Sequence, residues 1–337
     1  MLRSRRSLVA VAGLWAVWAS AGFNPEVTVG AGSGAVKDAE IAIDGAGNAC
    51  LVFSAAGKLY FVNGFDAFAT PQLIGSSDAP AAVPKEPSVA TDGTGVTYVA
   101  FVERDLADMS AVVWTNNTGG RFKNPVAVSE TAGPGVDRPT IAVSPTGSVL
   151  VGWSANGGAH GDDGEIFLFD GRVPPPPSRI LAGSEASFAG DDGGGMHVAY
   201  IRGGDLYYSN GKGGSFAANE VRLTTSGARE LRPRLAVTSN GAPIVMYLSE
   251  SAGGLSLYLT DGNTRELLVA GAAFPGCGAL AVGDRNVYRA VFIAPDGVWM
   301  QQGIVGAQRQ RSKVCDLSGG EELVAIAVDA YGYTHLA

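Results

Sequence analysis

Five charged residues, Asp38, Glu86, Arg138, Glu185 and Arg232, follow one another at intervals of 48, 52, 47 and 47 residues, and the spacing continues to Cys277 and Leu323. Each stands immediately before a short apolar strand. A fold that repeats at this interval brings three carboxylates and two guanidiniums to equivalent places. Converging charges of both signs suit a polar ligand, a metal or an acidic sugar; with none present they compensate one another around water. Other chemistry-bearing residues point less sharply. Asp162-Asp163-Gly164-Glu165 and Asp191-Asp192-Gly193 are acidic turns with oxygens to offer Ca²⁺. Neither has the full spacing of a calcium loop, so both read as solvated turns, and no metal or cofactor is expected. His160, His197 and His335 are scattered, whereas zinc takes three or four converging ligands. No G-x-S-x-G, Walker loop or H-E-x-x-H occurs, and Gly30-x-Gly32-x-Gly34 opens no helix.

The elements that position the charged residues are repeats. An apolar strand with a central alanine recurs at Ala42, Ala90, Ala142, Ala189, Ala236, Ala281 and Ala327. Two residues on comes Asp, Ser or Thr in all units but the sixth, and five residues on comes Gly, or Asn286 in the sixth. Asp and Ser bond the backbone of a turn they open, and Gly and Asn tolerate positive φ, so each unit reads strand, tight turn, strand. Eleven residues after the first six alanines stands an aromatic: Phe53, Phe101, Trp153, Tyr200, Tyr247 and Phe292. Two further alternating strands follow, as in Leu59-Tyr60-Phe61-Val62 and Gln72-Leu73-Ile74. Four antiparallel strands per unit of about 47 residues predict an all-β, seven-bladed β-propeller, with the small alanines crowded around its axis. The charged positions then ring one mouth of the central channel. At period-2 positions Trp114, Trp153, Trp299, Tyr207, Tyr208 and Tyr258 read as core between blades rather than as sugar-stacking platforms.

Composition agrees. Of 337 residues 48 are Gly, about double ordinary usage, as many tight turns require. A hydrophobic share of 46% excludes wholesale disorder, and a net charge of −8 argues against duplex nucleic acid as partner. Three cysteines (Cys50, Cys277, Cys315) do not make a disulfide scaffold, although Cys277 and Cys315 are candidates to pair. Pro174 to Pro177 reads as a stiff linker inside the third unit, and Asn116-Asn117-Thr118 is a formal glycosylation sequon.

The N-terminus supports two readings. Arg3, Arg5 and Arg6 precede an apolar run from Leu8 to Trp18, and Ala19-Ser20-Ala21 precedes Gly22, the layout of a secretory signal peptide over residues 1–22. The propeller then occupies residues 23–337, the protein is secreted, periplasmic or held in the cell envelope, and no span remains after processing. Alternatively, Leu14–Trp18 and Pro25–Val29 form a hairpin that joins the two strands of residues 323–337 in a seventh blade.

Thr115-x-Asn117-x-Gly119-x-x-Phe122 resembles the Asp-box, S-x-D-x-G-x-x-W, of sialidase-type (BNR-like) propellers, and Ser209-x-Gly211-x-Gly213-x-x-Phe216 is a second copy. The likeness is clearest over residues 38–260. In that superfamily the box is a folding device of the hairpin between third and fourth strands, so it implies blade architecture rather than activity. Sialidases there use an arginine triad, an acidic acid/base, and a tyrosine nucleophile paired with a glutamate. Arg138 and Arg232 are the candidates for two arginines, Arg234 or Arg289 for the third, and the remaining roles map to no motif. The expectation is therefore an exported bacterial propeller, monomeric and non-catalytic, that binds a glycan or a protein. The alternative is a diverged sialidase-like glycoside hydrolase.

Overall fold

The computed structural model describes residues 7–11, 27–29, 36–64, 71–74, 83–104, 110–129, 136–143, 148–155, 164–171, 177–191, 193, 195–211, 215–271, 278–283, 286–304, 309–316, 325–328 and 334–336. Period-2 alternation resolves into six antiparallel blades, each of four consecutive strands. Val36–Ile43, Ala49–Ala55, Lys58–Asn63 and Gln72–Ile74 make the first, and Val83–Thr91, Thr97–Arg104, Ser110–Asn116 and Val126–Ala127 the second. The third has Val136–Val143, Val149–Ala155, Glu165–Asp170 and Ser178–Ala182, and the fourth Ser184–Gly190, Met196–Arg202, Asp205–Asn210 and Val221–Arg222. Arg229–Val237, Pro243–Ser251, Gly254–Thr260 and Arg265–Val269 form the fifth. Gly278–Gly283, Val287–Ala294, Gly297–Ile304 and Arg309–Cys315 form the sixth. The fold is an all-β propeller. Its one helical segment of three residues or more, among the described residues, is the 3₁₀ turn Ala217–Asn219. Among the described residues no helix is long and apolar enough to cross a membrane.

The blade count differs from the expected seven. Six blades have the expected antiparallel form, and the chain ends build a mixed sheet in the order Val27–Val29, Ser7–Val11, Thr334–Leu336, Ile326–Val328. Ile326–Val328 and Thr334–Leu336 pair antiparallel, but Ser7–Val11 runs parallel to both of its neighbours. Parallel neighbours need a crossover connection, so the expected N-terminal hairpin is not what pairs them. The N-terminal partner strand starts at Ser7, and Leu14–Trp18 lies outside the described residues. The six inner strands neighbour one another in sequence order, and Ile326–Val328 contacts both Gly278–Gly283 and Val36–Ile43, which closes the ring.

The aromatics of the second strands are the centres of the core. Phe53, Phe101, Trp153, Tyr200, Tyr247 and Phe292 are all buried. In four blades that aromatic stacks directly on its cross-strand partner: Phe53 on Tyr60, Trp153 on Phe167, Tyr200 on Tyr207 and Tyr247 on Tyr258, with centroids 5.5 to 5.8 Å apart. Such pairs contribute beyond their buried area. Clusters bridge adjacent blades, as where Tyr98, Ala100 and Val112 of the second pack with Ile141, Val151 and Trp153 of the third.

The turns behave as their residue types require. Gly47, Gly95 and Gly241 have φ of 86°, 86° and 82°, and Asn286 has 60°; Gly147, Gly194 and Gly332 lie outside the described residues. Asp92 shows why the turn opens on a carboxylate. Its Oδ1 accepts the Thr94 and Val96 N–H groups and the Thr94 hydroxyl, and its Oδ2 accepts the Tyr98 hydroxyl at 3.0 Å. Burial raises this carboxyl, but those donors outweigh it and hold it below the ordinary carboxylate value. A depressed carboxyl stabilises the fold above its unfolded value and loses that contribution as pH falls through the folded one. Asp92→Ala is therefore expected to cost about 1–2 kcal/mol at pH 7. The gap to the native chain should shrink below about pH 4 in thermal melts, and a pH-independent gap would contradict the assignment.

His197 occupies the position of Tyr98 in the fourth blade. It reaches Asp191 through Nε2 at 3.1 Å and the Tyr208 hydroxyl through Nδ1 at 2.5 Å. It latches the turn, and no cluster of three or more His, Cys, Asp or Glu that could hold a metal ion occurs among the described residues. His160, Asp162, Asp163 and Asp192 lie outside them, as do Gly30 to Gly34, Pro174 to Pro176 and Cys277. Cys50 is buried, and burial pushes its thiol up to about 11.

In the third-to-fourth-strand hairpin of the second blade, the Thr115 hydroxyl donates to Lys123 O at 2.6 Å, and Asn117 Oδ1 accepts the Thr97 N–H at 2.7 Å. Gly119 and Gly120 turn the chain at positive φ, and Phe122 packs edge-on against Phe61 of the first blade. In the fourth blade Ser209 donates to Phe216 O in the same way, and Thr260 does so to Thr264 O in the fifth.

Candidate functional site: the axial ring

The charged ring lies inside the inner strands, not ahead of them. In the second to fifth blades the ladder between the first two strands slips, between Lys85 and Ser88, Asp137 and Thr140, Ser184 and Ser187, and Leu231 and Arg234. The first residue of each slip is Glu86, Arg138, Glu185 or Arg232, with φ of 51°, 47°, 52° and 50°. No glycine relieves these left-handed conformations, which cost on the order of 1–2 kcal/mol each. Three of the four are followed by a buried proline, Pro87, Pro139 and Pro233. Proline has no N–H to give a ladder and so fits a bulge. In the first blade the slip falls earlier, between Val36 and Asp38, which leaves Asp38 paired opposite Ser54.

The side chains of Asp38, Glu86, Arg138 and Glu185 run along the ring, each to the following blade. Asp38 Oδ2 accepts the Ser54 hydroxyl at 3.1 Å and faces the Glu86 N–H at 3.5 Å. Glu86 Oε2 accepts the Arg138 N–H at 2.8 Å. Arg138 Nη1 lies 3.8 Å from Glu185 Oε2, which in turn accepts the Arg232 N–H at 2.6 Å. One layer deeper, Ser88 and Ser187 accept the Ile141 and Leu235 N–H groups at 3.1 and 3.0 Å. All five predicted residues are thus brought to one ring. Cys277 and Leu323 lie outside the described residues.

Sequence reasoning missed Glu40. It lies two residues beyond Asp38, at the repeat position of Ser88, Thr140, Ser187, Arg234, Ala279 and Ala325. Arg234 is the second large charge in this layer. Both sit deep in the molecule but on the wetted wall of the channel, where Arg234 is exposed and Glu40 half-buried. Removal from bulk water pushes the Glu40 carboxyl up to about 7; the Arg234 charge pulls it back and the Asp38 charge adds to the rise. The same desolvation lowers Arg234, with Glu40 and Glu86 opposing it and Arg138 and Arg232 reinforcing it. A charged residue at a position otherwise held by Ser, Thr or Ala was the available signal, and only alignment of all seven units exposes it. Arg289, the other candidate third arginine, stands on the second strand of the sixth blade.

This ring can hold a small polar or charged group between opposite charges, and Glu40 can give or take a proton near neutral pH. No protein-family model matches the sequence, and no curated protein matches it either. Solved structures are similar to it. An alpha-L-arabinanase of Penicillium chrysogenum, in complex with arabinobiose, has a TM-score of 0.56 at 13% identity over 84% of this chain and 94% of its own. A protein of unknown function from Dyadobacter fermentans DSM 18053 has 0.54 at 11% identity over 82% and 93%. An ulvan lyase of polysaccharide lyase family PL25, bound to -[GlcA(1-4)Rha3S]-, has 0.52 at 12% identity over 80% of each chain. At such identities the likeness establishes one thing, the β-propeller fold.

Proposed function

We propose that this protein is an exported, non-catalytic propeller that binds a glycan or a protein partner, with the ligand at the axial mouth formed by Asp38, Glu86, Arg138, Glu185 and Arg232. The observation that carries the reading is the convergence of these side chains, four of them on strained, left-handed bulges, since strain of this kind persists where a site requires it. Carbohydrate enters through two fold neighbours, the arabinanase with arabinobiose and the ulvan lyase with its saccharide. In the same reading the mixed sheet of the two termini serves as a seventh blade, and the hairpins at Thr115 and Ser209 are diverged copies of the sialidase-type box. The protein acts as a monomer, secreted or held in the cell envelope.

Glu40 favours a second reading, a diverged sialidase-like glycoside hydrolase, because a carboxyl held near neutrality suits general acid catalysis. Two assays separate the readings. On a glycan array the native chain is expected to give hits that Arg138→Ala or Arg232→Ala weakens, while a panel of fluorogenic glycosides stays unhydrolysed. Turnover abolished by either substitution replaces the binding reading with the hydrolase. An array without hits favours a protein partner.

A further inference from the structure

The stacked tyrosine pairs of the fourth and fifth blades are built alike but sealed differently. In the fourth, both terminal nitrogens of Arg202 reach Glu220, which also accepts the Tyr200 hydroxyl. One repeat on, Ser249 stands at the place of Arg202, Arg265 at that of Glu220, and Glu230 at that of Gly183. Acid and base have changed strands, and the exchanged pair does not close. Arg265 Nη2 stands 3.9 Å from Glu230 Oε1, which accepts the Ser226 hydroxyl at 2.8 Å. Among the described residues neither Glu230 Oε2 nor the Tyr247 hydroxyl has a hydrogen-bond partner, although these residues are 0% and 1% exposed. Buried polar atoms left unpaired are costly, so these two mark a place for a guest. Arg265 spans them, its guanidinium 3.8 Å from the centroid of the Tyr258 ring and 5.6 Å from that of Tyr247. Tyr247 packs with Ala199, Ile201 and Leu206 of the fourth blade, and Glu230 donates its N–H to Gly204 O, so the spot lies in the seam between the two blades. Burial raises the Glu230 carboxyl; Ser226, Ser249 and the Arg265 charge oppose the rise, and the Asp205 charge adds to it. Burial also raises the Tyr247 hydroxyl, with Arg265 opposing and Glu230 and Tyr258 adding, so its proton stays in place to be donated.

We propose that this seam is a second binding site, which takes two adjacent hydroxyls of a neutral sugar, and that Arg265 is its gate. One hydroxyl donates to Glu230 Oε2, the other accepts from Tyr247 Oη, and Arg265, swung off Tyr258, donates to both. The half-buried Tyr258 ring is then open to the apolar face of the sugar. Charge selects the ligand class. A cation meets Arg265, and an anion meets Glu230 with Asp205 behind it, whereas a hydroxyl gives and accepts hydrogen bonds without charge. Both neighbours of Oε1, Ser226 and Arg265, are exposed, so the carboxylate lies one side chain below the surface. The site stands apart from the axial ring and does not rest on the axial reading.

Ligand-observed NMR titration of the full chain with the methyl glycosides of mannose, galactose, glucose, fucose and xylose, beside thermal melts, tests the proposal. At least one glycoside should bind with a Kd at or below about 10 mM. Tyr247→Phe and Glu230→Gln should each weaken that binding about tenfold. Because the Tyr247 hydroxyl has no partner to lose, Tyr247→Phe should also melt at or above the native temperature. Tyr200→Phe is the control: it deletes a hydroxyl already held by Glu220, so the melting temperature should fall while glycoside affinity stays. A panel in which no glycoside binds overturns the proposal. So does a Tyr247→Phe chain that melts as low as the Tyr200→Phe one, the result expected if a permanently held water satisfies the hydroxyl. Binding that survives both seam substitutions in folded variants puts the sugar elsewhere, which overturns this proposal and leaves the axial reading standing.

Discussion

Trp153→Ala is expected to lower stability by about 3–5 kcal/mol, the range for truncating a fully buried aromatic. Trp153 is 2% exposed on the second strand of the third blade, stacks on Phe167 at 5.7 Å, and belongs to the cluster joining the second and third blades. Its removal leaves a cavity at an inter-blade seam that the strands cannot close, because their separation is fixed by hydrogen bonding on both sides. For a chain of this length the loss corresponds to a fall of about 4–7 °C in Tm. Trp299→Ala is the control. That indole sits half-buried on the third strand of the sixth blade, its N–H on exposed Asp296 at 2.9 Å. Truncation there should cost about 1 kcal/mol or less. Equal losses in the two variants would contradict the picture of the second-strand aromatic as the centre of each seam.

The same seam logic explains what the sequence made legible. Turn residues, alternation and the aromatic eleven residues after each alanine are local signals, and local signals repeated seven times reinforce one another. They located the strands of six blades and the ring of five charged residues. Bulges are different, because a slip of register belongs to a pair of strands. Glu86, Arg138, Glu185 and Arg232 therefore read as lying ahead of a strand when they lie within one. The prolines at 87, 139 and 233 were the clue, since proline inside a strand marks an edge or a bulge. The terminal sheet was less legible still. Parallel pairing of Ser7–Val11 with Thr334–Leu336 joins strands more than three hundred residues apart, and nothing near either strand encodes the direction. Glu40 escaped because one acid in an apolar strand resembles an ordinary solvent-facing residue until the axis is in view.

Repeat geometry also makes the site economical. The bulges that strain the backbones at Glu86 and Glu185 turn a carboxylate toward the next blade, where it accepts the N–H of that blade's own bulged residue, and the bulge at Arg138 turns a guanidinium toward Glu185. Ring closure and the proposed ligand site thus use the same atoms. A substitution such as Glu185→Ala should loosen the contact between the third, fourth and fifth blades as well as change the mouth, so changes in binding there need a parallel melt to be interpreted.

Gly183→Ala is expected to cost about 2–4 kcal/mol although it adds a single methyl group. Gly183 directly precedes the inner strand of the fourth blade at φ 154°, a conformation that residues with a Cβ rarely adopt. An added Cβ would stand 2.5 Å from Cδ2 of Tyr200 and 3.0 Å from the Ile201 carbonyl oxygen. Neither can yield easily. The Tyr200 ring is buried against Tyr207 and donates its hydroxyl to Glu220, which Arg202 also grips with both terminal nitrogens. The carbonyl belongs to a strand paired on both sides. One repeat later the corresponding residue is Glu230, and the difference is instructive. Each donates its backbone N–H to a glycine in the preceding blade's second-to-third-strand turn, Gly183 to Gly164 O at 3.2 Å and Glu230 to Gly204 O at 2.7 Å. Glu230 is absent from the positive-φ residues, and there the blade buries a whole carboxyl at 0% exposure, with the Ser226 hydroxyl on Oε1 at 2.8 Å. The backbone conformation of Gly183, rather than its place in the repeat, therefore forbids a side chain. Gly203→Ala supplies the comparison, because at φ 57° its Cβ would meet nothing within 4 Å. That variant should lose only the left-handed strain, about 1 kcal/mol. A double-mutant cycle with Tyr200→Ala should recover part of the Gly183→Ala loss by removing the ring the methyl meets. Strictly additive losses in that cycle would show that conformation alone, without the clash, sets the penalty.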